Sequence, residues 1–260
     1  MLGIFKYYWK EAIAYRAEYI ISVLAIPLRF FVIVMIWTAV YSASSDQSIQ
    51  GYSLANLITY FMISTFVFTA NYDTVVQFLE QENRKGNFLV YLLKPMSFPW
   101  LDFLRKIANR AFAIVSEIIP VTIIFIVFFS EYFVYGNIPG ILLAVVFSFI
   151  MSYLIHLLVG ILTFYLVHVR SVGWLVDFFI HFASGVFVPL DLLPPALIAV
   201  SDLLPFKYLV FVPTKIYLGD YVGLELLFQY AMQLLWTLIL LGLVYVLWKK
   251  AIRHFSGVGA

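Results

Sequence analysis

Long runs of apolar residues alternate along this chain with short polar breaks. The runs cover about 20–41, 54–72, 111–130, 138–167, 172–188 and 229–248. A helix needs about 20 mostly apolar residues to cross hydrocarbon, so the pattern predicts six spanning helices. The fourth run is longer than a crossing requires and predicts a helix leaving the bilayer at one end. The fifth is short and ends in a proline-rich stretch. Pro27 and Pro120 fall inside runs, where membrane helices accommodate them as kinks.

Three segments depart from this pattern. In the first, Leu2, Phe5, Trp9 and Ile13 recur every three or four residues, with Lys6, Lys10 and Glu11 off the stripe. That predicts an amphipathic helix over 1–19 lying on the membrane surface; a plain extension of the first span is the other reading. The first long apolar run starts only near Ile20 and exceeds the hydrophobic region of a secretion signal, so no cleavable leader is expected. In the second, ENRKGNFLVYLLKPMSFPW (82–100), six apolar or aromatic residues, Phe88 to Leu93, sit among Arg84, Lys85 and Lys94. They are too few to span and too apolar for a solvated loop. The third, 185–219, carries prolines at 189, 194, 195, 205 and 213, which no single helix can run through. Its apolar pieces 196–204 and 206–212 fit re-entrant or interfacial helices. Their broken backbone must be covered by protein or line a cavity, which predicts a hairpin dipping back from the outer face. The stretch SASSDQSIQGYS (42–53) reads as a simple connector.

Composition sharpens the class. Of 260 residues, 64% are hydrophobic and 12% charged, against roughly 45–50% and 25% in soluble domains. The chain reads as one transmembrane domain over 1–260, with no internal repeat and no soluble domain boundary. The net charge of +2 matters less than its distribution. Thirteen of the sixteen Lys and Arg fall in the N-terminal segment, the 73–110 loop, the 168–171 turn and the tail. Only Lys207 and Lys215 fall on the other side, and Arg29 lies within the first span. The excess of Lys and Arg on the cytoplasmic side then places both termini and the 73–110 loop in the cytoplasm.

Catalytic chemistry is scarce. The absence of cysteine removes disulfides, thiolate metal sites and a Cys nucleophile. There is no GxxxxGK[ST] phosphate loop, no HExxH and no GxSxG. His156, His168, His181 and His254 lie in different segments, so no metal site and no catalytic residue is expected. Ionisable residues inside a membrane mark functional candidates. Arg29 can snorkel to the interface or pair with an acid, and Glu117 can pair with a cation such as Arg110. Asp177 and His181 share a helical face, and with Ser184 they form a polar stripe that suits a pore or a helix–helix hydrogen bond. Asn56, Tyr60, Ser64 and Phe68 repeat every four residues on the second span. That face suits an amphipathic substrate and suits interhelical packing equally.

The segments RKGNFLVYLLKP (84–95) and GVFVPLDLLPPAL…LPFKYLVFVP (185–213), with the tail RHFSGVG, resemble the permeases of type-two ABC exporters, in the bacterial branch of viologen- and daunorubicin-exporter-like subunits. The resemblance covers the whole chain. It implies an all-α polytopic fold: an interfacial helix (1–19), six spans, a cytoplasmic coupling loop (73–110) and an external re-entrant region (189–228) before the last span.

The resemblance further implies a multi-pass protein of the bacterial inner membrane. It would pair with a second copy or a sister permease and with two ATP-binding-cassette ATPase subunits, and bind membrane lipid but no nucleic acid. The chain itself would bind no cofactor; ATP and magnesium would sit on the partner. Coupling to the ATPase would fall to Glu80, Glu82, Arg84, Lys85, Gly86, Phe88, Leu89, Tyr91, Leu92 and Lys94, with Phe88, Leu89, Tyr91 and Leu92 as apolar anchors. An amphipathic helix held on the inner leaflet by Arg84, Lys85 and Lys94 is the competing reading of that segment. The second and fifth spans would line the pathway, giving Asn56, Tyr60, Ser64, Phe68, Asp177, His181 and Ser184 as its residues. The first and fifth spans would meet the other half. Phe187, Pro189 and Leu190 would gate the exit. The cargo expected is a hydrophobic or amphipathic molecule such as a drug, antibiotic or toxin, moved outward. The alternatives are a lipid or glycan-precursor translocator, an ion-coupled secondary transporter and, last, a membrane enzyme.

Overall fold

The structure is a computed structural model that describes Tyr7, Trp9, Lys10, Ile13 and residues 16–44, 48–166 and 168–254. The predicted surface helix over 1–19 falls largely outside the described residues, as does most of the RHFSGVG tail. The chain folds into helices α1 (Arg16–Ala43), α2 (Leu54–Asn71), α3 (Val75–Arg84), α4 (Phe88–Leu92), α5 (Phe98–Ala113), α6 (Ile119–Phe129), α7 (Ile138–Ile161), α8 (Arg170–Ala183), α9 (Pro195–Asp202), α10 (Phe211–Leu218) and α11 (Gly223–His254). A π-helical turn, Ile114–Ile118, joins α5 to α6 one residue before Pro120. A proline cannot donate to the helical ladder, and the wider turn ahead of it absorbs that break.

Five helical stretches are long and apolar enough to cross a membrane: Ile20–Ala43, Leu54–Arg84, Phe98–Tyr132, Ile138–Phe164 and Gly223–Arg253. The chain is a multi-pass membrane protein. Six spans are expected, the fifth of them short, and that fifth is the one absent from these five long apolar helices. There, α8 has 14 residues, about 21 Å at ~1.5 Å per residue, short of a hydrocarbon core of about 30 Å. It stops at Gly185, whose φ is +83°. A side chain there would also press on the Tyr60 hydroxyl, 2.7 Å from the Cβ position. Most of the expected loop 73–110 is helix: residues 72–74 break it from α2, while α5 runs on through the π turn into α6, and the segment buries Asp73, Asp102, Arg105 and Lys106.

Polarity is arranged for lipid. The outward surface of α1 is apolar, with Leu24, Leu28, Phe31 and Met35 exposed. The interior gathers on α7, whose residues are all buried from Met151 to Leu157. Helices α3, α10 and α11 pack around it. Ser148, Ser152 and His156 recur at every fourth position of this buried helix. Buried polar groups need partners, and these three mark the polar seam on which the rest of the molecule is assembled.

Candidate functional site: a hairpin of helices tied to a broken-helix core

The charged segment noted in the sequence forms the α3–α4 hairpin. It turns at Gly86, where φ is +70°. Phe88 is fully buried against Phe98 (ring centroids 5.4 Å apart), Phe164 (5.0 Å) and Trp248 (6.2 Å). Phe98 in turn stacks on Trp248 at 5.6 Å. This aromatic knot fastens α4 to α5, to the end of α7 and to α11. Phe88 is therefore not on the outward face, which corrects its expected place among the docking anchors. Leu89, Val90, Leu92 and Leu93 are exposed instead, Leu93 at 87%. Arg84, Lys85 and Lys94 are exposed beside them, while Glu82, Gly86 and Tyr91 are half-buried. The Lys94 ammonium lies 4.1 Å from the Tyr91 ring centre.

Glu80 also turns inward. Its Oε2 accepts the backbone N–H groups of Val169 at 3.0 Å and Arg170 at 2.6 Å. A helix begins with N–H groups that lack intrahelical partners, and a carboxylate there also favours the helix dipole. Glu80 thus closes the start of α8 from α3. Asn83 Nδ2 adds a donation to Thr163 O at 2.7 Å.

Deeper in the bundle lies a polar node that the sequence reading did not single out. The Lys106 ammonium reaches Asp73 Oδ2 at 2.9 Å and donates to the carbonyls of Asn71 and Phe149, both at 3.2 Å. Ser152 Oγ donates to Asn71 O at 2.7 Å, and Ser148 Oγ to Asn71 Oδ1 at 3.3 Å. Arg105 Nε donates to Asp102 Oδ1 at 2.7 Å. Arg110 donates to Thr69 O at 3.2 Å. Glu117 is buried in the π turn, and Arg29 is exposed on α1.

The proline-broken segment settles into this node. From the turn Leu190–Leu192 the chain runs through α9 into the bundle, where Tyr208, Leu209 and Val210 are buried. Backbone carbonyls here lie outside regular helix and need donors. Asn71 Nδ2 serves Leu209 O at 2.8 Å, and Gln233 Nε2 serves Tyr208 O at 3.0 Å. Phe211 N donates to Ser184 O at 2.9 Å. Sequence reasoning passed over Asn71 and Gln233; the available signal was an amide inside an apolar run for Gln233, and at the end of one for Asn71.

The expected pathway residues divide between interior and cleft. Tyr60 is fully buried and donates to Gly185 O at 2.8 Å; Ser64 is buried and bonds Phe61 O. Asn56 is half-buried in the first turn of α2, and Ser184 is buried. Asp177 and His181 do not pair through their side chains. Asp177 Oδ1 faces His156 Nε2 at 2.8 Å, while His181 Nδ1 turns back to Asp177 O at 2.6 Å. His181 stacks between Phe68 (4.2 Å) and the exposed Phe187 (5.3 Å). A small cavity of about 20 Å³ lies among Phe68, Asn71, Asp73, His156, Asp177 and Leu209. Drug-sized ligands occupy about 300–1,000 Å³, so the cleft is closed to them in this conformation.

At the opposite end, Pro189 and Leu190 are buried under a second polar cluster. The Lys215 ammonium bonds Tyr52 Oη at 2.9 Å and Asp191 at 2.9 Å, and also pairs with Asp220. Tyr52 Oη donates to Asp191 Oδ2 at 2.8 Å. Burial alone would lower the Lys215 ammonium, but the hydrogen bonds it donates to Asp220 and Asp191 outweigh it and raise its pKa above the ordinary lysine value. Burial and the neighbouring Asp191 push the Tyr52 phenol upward as well. The connector 42–53 is more than a linker, because it ends in a two-residue turn, Gln50 and Gly51 both at positive φ, that delivers Tyr52 to this seam.

Among the described residues no group of three or more His, Asp or Glu forms a metal site. No curated protein matches the chain. A sequence model of the family described as ABC-2 family transporter protein matches residues 25–259. That span takes in the α3–α4 hairpin, the polar node, the broken segment and the last helix. The chain therefore belongs to the ABC-2 transporter family, whose members are the membrane subunits that associate with an ABC ATPase.

Proposed function

We propose that this chain is the permease of an exporter that moves a hydrophobic or amphipathic molecule outward, driven by ATP hydrolysed on the partner subunits. The observation that carries the reading is the orientation of α4. Its first residue, Phe88, is locked inside, and a short apolar face of Leu89, Val90, Leu92 and Leu93 is held outward between Arg84, Lys85 and Lys94. Anchors at helical spacing on a rigid helix suit docking into a groove, here that of the ATPase at the cytoplasmic surface. Most cations of the chain lie at this end, which supports its cytoplasmic orientation. A second copy or a sister permease completes the translocation unit.

For the cargo, the supporting feature is the ladder Phe68–His181–Phe187 beside Asp177. It offers aromatic surface and a partly exposed carboxylate along one edge of α8. In this reading Pro189 and Leu190, with Phe187, form the closed exit.

The test is co-purification. Leu89→Asp with Leu93→Asp should leave a folded permease that no longer retains its ATPase subunit. Retention at the wild-type level removes the docking reading and leaves α4 as a helix on the inner leaflet.

A further inference from the structure

Asn71 uses both polar atoms of its side chain and its own carbonyl on four residues in three different parts of the molecule. Its amide nitrogen holds Leu209 O in the broken segment, at 2.8 Å. Its Oδ1 and carbonyl take Ser148 and Ser152 of α7, at 3.3 and 2.7 Å. Its carbonyl also takes Lys106 of α5, at 3.2 Å. Two residues further on, Asp73 binds the same lysine and accepts Val75 N at 2.8 Å, which fixes the start of α3. At its other end α3 carries the Glu80 contact and the α4 face.

On the far side of the contact, Leu209 leads through Val210 directly into α10. That eight-residue helix carries Lys215 to the Tyr52, Asp191 and Asp220 seam at the opposite end of the bundle. A helix of this kind is stiff, and close-packed interiors transmit displacement. A contiguous chain of bonded residues, including the buried Asn71 amide and the short helix α10, thus joins the start of α3 to the opposite end.

We propose that Asn71 is a positioning residue that passes movement of the α3–α4 hairpin to the broken segment and so to the exit. The inference rests on the reading that α4 docks an ATPase. Contiguity alone does not establish coupling between two sites. Coupling requires that movement at one end be followed at the other, and that breaking this contact separate the two.

The chain has no cysteine, so single-cysteine reporters are clean. Two exposed positions serve: Ser97, whose side chain caps nothing, near α4, and Leu203, at the turn after α9. Ser97→Cys and Leu203→Cys permeases, labelled with an environment-sensitive fluorophore, are assembled with the ATPase subunit in lipid nanodiscs. Fluorescence is read before and after ATP with vanadate.

In the parent complex both reporters should shift. With Asn71→Leu the shift at 97 should persist and the shift at 203 should vanish. A shift at 203 equal to the parent's overturns the proposal. Loss of both shifts in a folded Asn71→Leu complex also overturns it, because the residue would then support docking and not transmission. If neither reporter moves in the parent complex, the docking reading itself fails. Should Asn71→Leu not fold, Asn71→Ala, which removes the amide without adding bulk, is judged by the same outcomes.

Discussion

Glu80 and Arg170 are ninety residues apart in sequence and 2.6 Å apart in space, carboxylate oxygen to backbone nitrogen. The contact makes the first turn of α8 depend on a side chain from α3. Glu80→Ala strands the N–H groups of Val169 and Arg170, and an unsatisfied buried donor costs about 1–3 kcal/mol. Thermal unfolding of the purified permease in detergent should show a clear drop in Tm. Glu80→Gln, which keeps one acceptor oxygen, should fall between the two. A Tm for Glu80→Ala equal to wild type would mean that the α8 terminus is held by something else.

The two faces of α4 should separate under alanine substitution. Phe88→Ala opens a void inside the aromatic knot, and large aromatic-to-alanine changes in cores cost about 3–5 kcal/mol. Leu93→Ala removes an exposed side chain, and such changes stay within about 0.5 kcal/mol. Measured on the permease alone, Phe88→Ala should melt far earlier and Leu93→Ala almost unchanged. With the ATPase present, Leu93→Ala should weaken association. The reverse order of stabilities would turn the helix over.

Lys106 and Asp73 form a buried ion pair. Removing one partner leaves an uncompensated buried charge, at about 3–5 kcal/mol, whereas neutral replacement of both is far milder. Lys106→Met should be severely destabilised. Adding Asp73→Asn, which retains an acceptor for Val75 N, should recover much of the loss. A double-mutant cycle on Tm checks this; simple additivity of the two changes would show that the pair does not interact.

The Lys215 seam carries a pH signature. Its ammonium is raised above the unfolded lysine value by Asp220 and Asp191 acting against burial. A raised basic group contributes stability in full below the unfolded value, about 10.4, and loses it as pH climbs through the folded value. The Tm gap between wild type and Lys215→Gln should hold steady from pH 7 to 9 and narrow above about pH 10.5. A gap that does not change with pH would mean that the ammonium charge adds nothing to the seam.

The long apolar helices were legible because membrane spans announce themselves in composition. The charged flanks of Phe88–Leu93 were legible for the same local reason, whereas the turn at Gly86 emerged only from the structure. What escaped was set by distant partners. Asn71 and Gln233 look like packing residues in apolar runs, and their role appears only once Leu209 and Tyr208 arrive from far along the chain. Glu80 sits among charges that suggest a docking surface, yet α8 claims it. Asp177 shares a helix face with His181, but the nearer acceptor for His181 is a backbone carbonyl of its own helix, which leaves the carboxylate to His156 on α7. The shortness of α8 follows from the close approach of Tyr60 to Gly185, a contact across 125 residues that no local window contains.

Gln233 lies on the last helix, yet it supplies the donor for Tyr208 O near the tip of the broken segment. The two residues are 25 positions apart in the chain, so the broken segment completes its hydrogen bonding only once the helix that follows it is packed alongside.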